Sequence, residues 1–377
     1  MSSHQTPDTT NLLRNLIAEV MEIETITLGS DPRETIRAVG RLREPAHEVF
    51  ARLRPRFEEI GHTPFMRRED GQDVILAVRQ VFKPEATSPW PNLALFVLTI
   101  ASVLFVGTTN EIDSLPITLD KLIANVPTGL LFTASMLGIL GAHEMGHYLM
   151  ARRHGVRVTL PYFIPLPTLL GTMGAVIAMQ EPSPNRRVQF DIGVAGPLAG
   201  LVVAIPVLVV GLVLSPVYTR QEILQIIPEG QELIQEGNSL LYLGLKFAVF
   251  GKILPTPGGE DILVHAMAWA GWAGLLVTAL NLIPVGQLDG GHVLYGLIGE
   301  RAQVLRWPII ILLVALSFFY QGWLLWAFLI FLLARRSAPV LDEITTLDRP
   351  RQWVAVVVLI TFVLIFVPVP LKQVPLP

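Results

Sequence analysis

Three side chains in one short stretch can do chemistry together: His143, Glu144 and His147 in "GAHEMGHYLM", residues 141–150. On a helix, positions i and i+4 stand one turn apart on one face. The two imidazoles can then grip a single Zn2+, and Glu144 sits where it can reach a water on that ion. Eight histidines in 377 residues make a chance HExxH about a one-in-a-hundred event. The flanking residues are apolar, and an ionisable cluster in a membrane helix marks function by default.

Tetrahedral zinc needs a third protein ligand and one open position. His154 lies about two turns beyond His147, beside Arg152 and Arg153, where the helix is expected to meet the interface. His265 begins a later apolar segment at the opposite end. Asp289, in "NLIPVGQLDGGH" (281–292), is the carboxylate that stands alone between Asp261 and Glu300. It follows an apolar segment at the end that matches His143 and His147, so it is the expected ligand. The alternative makes Asp289 a helix N-cap for "GGHVLYGLIG". Asn281, eight residues earlier, has two readings: a hydrogen bond to substrate backbone or a developing oxyanion, or an interhelical hydrogen bond. Pro284 is expected to break or bend the helix between them.

Composition names the scaffold that must position these groups. The chain is 51% hydrophobic and 16% charged, with a mean hydropathy of +0.53, which predicts a polytopic membrane protein. The net charge of -3 suggests no nucleic-acid partner. The absence of cysteine excludes disulfides, thiol catalysis and cysteine-ligated metal. The polar start shows no cleavable signal peptide.

Residues 1–88 are expected to form a small soluble α+β domain. "TNLLRNLIAEVMEIE" carries Leu12, Leu13, Leu16, Ile17, Val20 and Met21 at helical spacing, and a short strand, "TITLG", follows. "EPAHEVFARLRPRFEEIG" predicts a second helix that Pro55 kinks or restarts. "TPFMRREDGQDVILAVRQVF" predicts a hairpin turning at Asp70-Gly71.

The remainder, 89–377, is expected to be a membrane domain with seven apolar segments: 91–108, 127–152, 191–214, 262–284, 305–320, 322–335 and 351–368. The fifth and sixth are short and are expected to form a tight hairpin. Loop charges alternate. Arg79 and Lys83 precede the first segment, and Glu111, Asp113 and Asp120 follow it. Arg152, Arg153, Arg157, Arg186 and Arg187 follow the second. The 215–261 loop is acidic, with Glu222, Glu229, Glu232, Glu236, Glu260 and Asp261. Arg301 and Arg306, then Arg335, Arg336, Arg349 and Arg351, mark the later basic loops. The expectation is a cytoplasmic amino terminus and an external carboxyl terminus.

Residues 156–190 are apolar but broken by Pro161, Pro165, Pro167, Gly171 and Gly174. They cannot make a stable spanning helix. A re-entrant strand or hairpin lining a cavity is expected, with a surface loop as the alternative. "NSLLYLGLKFAVFG" (238–251) reads as an interfacial, gating or linker helix.

The pair "HEMGH" and "NLIPVGQLDGGH" resembles the hallmark motifs of the site-2 protease family of intramembrane metalloproteases, peptidase family M50. "GVAGPLAG" (193–200) resembles the small-residue segment that lies between them in that family. The resemblance covers about 127–300 and implies a mainly α fold with a three-helix catalytic core. It implies one zinc held by His143, His147 and Asp289, with Glu144 as general base. It also implies membrane-protein substrates, single-span ones among them, within a lipid bilayer. No PDZ or CBS domain is recognisable, and 270–299 looks most like the PDZ-less branch of chloroplasts and cyanobacteria. A bacterial plasma membrane is the expected location. The competing classes are a metal-ion transporter and an inactive membrane scaffold; a transporter would need further carboxylates or histidines along other segments, and few are present.

Overall fold

A computed structural model describes residues 7–29, 33–83, 87–110, 117–219, 221–222, 225, 233–333 and 340–374. Glu111, Asp113, Glu229, Glu232, Arg335 and Arg336, which entered the loop-charge reading, lie outside the described residues.

The helical spacing of the first segment ends earlier than expected. Helix α1 covers Pro7–Val20, and strand β1, Met21–Leu28, takes over at Met21. The reason is the period-2 pattern with β-branched residues in "MEIETITL", which suits a strand. Leu12 is exposed, while Leu13, Leu16, Ile17 and Val20 are buried. Strand β2, Glu34–Leu42, was not foreseen. Helix α2, Ala46–Glu59, runs unbroken through Pro55. Pro55 is exposed, so the carbonyl it leaves unbonded faces water. Strands β3, Thr63–Glu69, and β4, Gln72–Val78, form the expected hairpin, with Asp70 and Gly71 at φ 46° and 82°. The sheet is antiparallel in the order β1-β2-β4-β3.

The core of this module takes in a residue from far down the chain. Leu341 is fully buried among Phe57, Met66, Ile75 and Ala77. Met66 N–H donates to the Leu341 carbonyl at 2.8 Å, and Glu343 N–H to the Met66 carbonyl at 3.0 Å. Strand β3 is therefore extended by 341–343. On its other side that segment bonds to Ser183 and Pro184.

The helical part contains helix α3, Trp90–Thr109, α4, Leu119–Arg153, and α5, Arg186–Val213. Among the described residues these three are long and apolar enough to cross a membrane. At 1.5 Å per residue, the shortest, with 20 residues, reaches about 30 Å, the thickness of a hydrocarbon core. Helix α4 begins before the expected position 127 and carries an exposed Pro127 without breaking. Helix α5 begins at Arg186, where the Asn185 side chain accepts from Val188 N–H at 3.0 Å.

Of the other four apolar segments, 262–284, 305–320 and 351–368 are helices shorter than expected, and 322–335 is helical as far as it is described. Helix α6, Leu240–Phe250, precedes α7, Ala266–Asn281; α8, Asp289–Ile298, runs into a 3-10 turn over Gly299–Leu305. Helices α9, Arg306–Leu316, and α10, Gly322–Leu333, pack together as the expected hairpin, and α11 covers Arg349–Ile365. Segment 262–284 is shortened at both ends. Asp261–Ile262 (β9) pairs with Val217–Tyr218 (β7), and the chain turns after Asn281 around Pro284. Helices α4, α5 and α7 pack on one another, with Ile139, Ala204, Leu208, Trp272 and Leu275 buried among them.

The Pro- and Gly-rich run forms a hairpin of β5, Tyr162–Pro165, and β6, Thr172–Val176. Side chains satisfy several of its backbone carbonyls. Asn92 of α3 donates to the carbonyls of Leu160 and Pro161 at 2.8 and 3.1 Å. Thr172 Oγ1 donates to the Ile164 carbonyl at 2.9 Å. At the far end of the bundle, strand β8, Leu233–Glu236, pairs with β10, Leu371–Val374. This last strand thus lies at the same end as the 215–261 loop.

Candidate metal centre

The HExxH spacing works because α4 is regular there. His143, Glu144 and His147 are all buried on it. The third donor arrives through a break in the chain. Helix α7 ends at Asn281, residues 282–288 turn back, and α8 starts at Asp289. The turn is possible because Gly290 has no side chain: a Cβ there would lie 2.0 Å from the Leu282 carbonyl oxygen. Asp289 is the first residue of α8, with Leu288 at the cap position and no side-chain capping bond. The N-cap reading of Asp289 gives way to one in which its carboxylate faces the two imidazoles.

Asp289 Oδ2 stands 3.2 Å from His143 Nε2, and Asp289 Oδ1 3.4 Å from His147 Nε2. The two Nε2 atoms are 3.1 Å apart. A tetrahedral zinc with bonds of 2.0–2.1 Å separates its ligand atoms by about 3.3 Å. The two contacts of Asp289 use different carboxylate oxygens, and one donor atom from each of the three residues lies within 4.8 Å of the other two, close enough to converge on one ion. Among the described residues this is the group of His, Asp and Glu side chains close enough to share an ion.

His147 Nδ1 is 2.7 Å from the Ile192 carbonyl. A carbonyl only accepts, so Nδ1 carries the proton and Nε2 presents its lone pair to the other donors. That carbonyl belongs to α5, which approaches closely because of its small residues. A Cβ on Gly196 would fall 2.1 Å from His147 Nε2. The "GVAGPLAG" run thus packs against the imidazoles and contributes shape.

The donors and Glu144 line a cavity of about 880 Å³. Asn281 lines it too, as do Ala175 and Val176 of β6. His154 is elsewhere: its Nε2 is 2.9 Å from Asp191 Oδ2, and Arg351 grips the same carboxylate with two bonds of 2.7 Å. This joins α4, α5 and α11. His265 caps α7, its Nδ1 accepting from Met267 N–H at 3.2 Å. Four polar groups of the cavity were not singled out from sequence, Gln189, Gln287, His292 and Gln303; of these, Gln189 on α5 and His292 on α8 pair, with Gln189 Nε2 and His292 Nδ1 3.1 Å apart. His292 had a signal, since it lies three residues after Asp289 and thus on the same helix face.

Fold and site together define a helical bundle with a His-Glu-His-Asp centre set between helices long enough to cross a membrane. The chain belongs to peptidase family M50, which matches residues 131–319. It is 32% identical over 306 residues to the probable zinc metalloprotease EGY1, chloroplastic, of Arabidopsis thaliana, covering 73% of this chain and 55% of that protein. It is 30% identical over 314 residues to the probable zinc metalloprotease EGY2, chloroplastic, of Oryza sativa subsp. indica, covering 80% and 54%. With the probable zinc metallopeptidase EGY3, chloroplastic, of Arabidopsis thaliana it shares 28% over 360 residues, covering 87% and 60%. The chain spans little more than half the length of the curated relatives it matches. No solved structure matches it.

Proposed function

We propose that the chain is a zinc endopeptidase that cuts membrane proteins within or near their spanning segments. The observation that carries this reading is the cluster of His143, His147 and Asp289, one donor atom of each within 4.8 Å of the other two, with Glu144 lining the same cavity. These donors fit zinc, and the chemistry zinc supplies when bound is Lewis acidity, which polarises a carbonyl and brings the pKa of water near 7. Glu144 accepts the proton of the attacking water and passes it to the leaving amine. The Ile192 carbonyl holds the His147 tautomer. Asn281 donates its amide to the substrate backbone or to the oxygen that gains charge.

A helical substrate hides its amides in its own hydrogen bonds, so the scissile segment must be extended. Strand β6, whose residues line the cavity, offers an edge along which such a segment adds as a further strand. Cross-linking of bound substrate to Met173 or Gly174 tests this, and consistent absence of a product opposes it.

A metal-transport reading is less supported. Two acids outside the centre already have partners: Glu236 accepts from Lys246 and Tyr242 at 3.0 Å, and Asp261 accepts from Gln235 at 2.7 Å. The amino-terminal module, taken as domain 1–88, lies at the catalytic end of the bundle, where basic loops favour the cytoplasm of a bacterial plasma membrane. Regulation or substrate sorting is its proposed role.

Co-expression with a single-span reporter tests the reading. Cleavage should depend on Glu144 and stop on metal chelation, and product mass should place the cut in or beside the span. Insensitivity to chelation would remove the metal from the account.

A further inference from the structure

The cavity holds a titratable side chain that the steps above leave unused. His292 follows Asp289 by three residues on α8, so the two share a helix face. Its ring lines the same cavity as the metal donors, yet it is not one of the three that could share an ion. Its position is tightly set, because a Cβ on Gly193 of α5 would fall 2.8 Å from His292 Cβ.

The one bond of the ring fixes its chemistry. Gln189 Nε2 lies 3.1 Å from His292 Nδ1. An amide nitrogen donates, so Nδ1 is the acceptor, and the neutral ring must carry its proton on Nε2. Among the described residues Nε2–H has no protein partner. The half-buried ring thus holds one spare donor in the cavity that also holds the metal donors and the base.

We propose that His292 is a catalytic residue, donating Nε2–H to the scissile carbonyl oxygen as that oxygen gains charge, and that Gln189 is its positioning residue, holding the tautomer. No bond is made or broken at His292; it stays neutral, and its hydrogen bond strengthens as charge develops. The inference rests on the peptidase reading above.

The test uses the full chain in proteoliposomes with a single-span reporter. His292→Phe should lower kcat by about 100-fold, the order of one oxyanion donor, with KM and bound zinc unchanged. His292→Gln, whose amide both accepts from Gln189 and donates, should recover most of that loss. Nitrogen-15 spectra of labelled histidine should show His292 protonated at Nε2, with Gln189→Leu mixing the tautomers and lowering kcat less than His292→Phe does. Unchanged kcat in His292→Phe, equal loss in His292→Gln, or a proton on Nδ1 would each overturn the proposal. Failure of the unsubstituted protein to cut the reporter would instead strike the peptidase reading, and the tautomer measurement would still decide how Gln189 acts.

Discussion

His147 has its two ring nitrogens committed to different tasks: Nδ1–H donates to the Ile192 carbonyl, and Nε2 faces His143 and Asp289. Outer partners of this kind alone change metal affinity 10- to 100-fold. Loss of a ligand should therefore cost more than about 100-fold. Asp289→Ala is expected to emerge from purification with little zinc, measured per chain by mass spectrometry; full occupancy would put the third ligand elsewhere. The pair at 143 and 147 is legible in sequence because i and i+4 share a helix face. Asp289 is legible by isolation, since no other carboxylate lies near. The Ile192 carbonyl is not, because every residue has one, and only the approach of α5 selects it. Gln189 falls just before the expected start of the third apolar segment, so the extra turn of α5 that holds it went unread.

At the scale of elements, the close approach of α5 to α4 decides the site. Gly196→Ala would drive a methyl into His147 Nε2, where the free space is 2.1 Å. It should lower stability by about 1–3 kcal/mol, as overpacking does, and reduce bound zinc. A variant with normal zinc would show that the helices move apart freely. The amino-terminal module offers a separate test. His62 is buried, with its Nδ1 at 2.8 Å from the Ile60 carbonyl and its Nε2 at 2.8 Å from Thr35 Oγ1. Burial lowers its pKa below the ordinary 6.5, against the opposing pull of the Ile60 bond. The folded state then binds a proton less readily than the unfolded chain. The stability it contributes is complete above about pH 6.5 and is lost as pH falls from there through the folded value. Thermal unfolding of the module should shift to lower temperature from pH 7 to pH 5, and His62→Gln should flatten that slope. An equal slope in the variant would contradict the assignment. Strand β2 escaped the sequence reading because "ETIRAVGRL" mixes buried and exposed residues without clean alternation, five of its nine being buried. Its identity comes from pairing on both sides with β1 and β4.

At the scale of the molecule, a distant segment stitches the module to the catalytic end. Residues 341–343 bond to β3 on one side and to 183–184 on the other. Arg67 adds bonds to Glu343 and to the Leu341 carbonyl, and Arg54 holds Glu181 at 2.5 Å. Glu343 also accepts from Tyr295 of α8 at 2.9 Å. A push on the module thus reaches both the strand entering α5 and the helix that carries Asp289. Replacing Arg54 and Arg67 together by alanine should raise hydrogen exchange in 177–184 while leaving α7 unchanged. Unaltered exchange would mean that the module rides passively. No sequence rule anticipates this joint, because Leu341 completes a core that begins more than 300 residues earlier. The coarse architecture, a polar module followed by an apolar bundle, needs only hydropathy. The lengths of the later helices need the breaks at Pro284 and at the β7–β9 pairing, which no apolar count contains.

The central claim is that three side chains hold the metal and a fourth moves the proton. Glu144→Gln separates the two roles on one sample. In proteoliposomes the variant should retain about one zinc per chain while cutting a single-span reporter at least about 100-fold more slowly, the contribution of a general base. Cleavage at the unsubstituted rate with zinc in place would contradict the account.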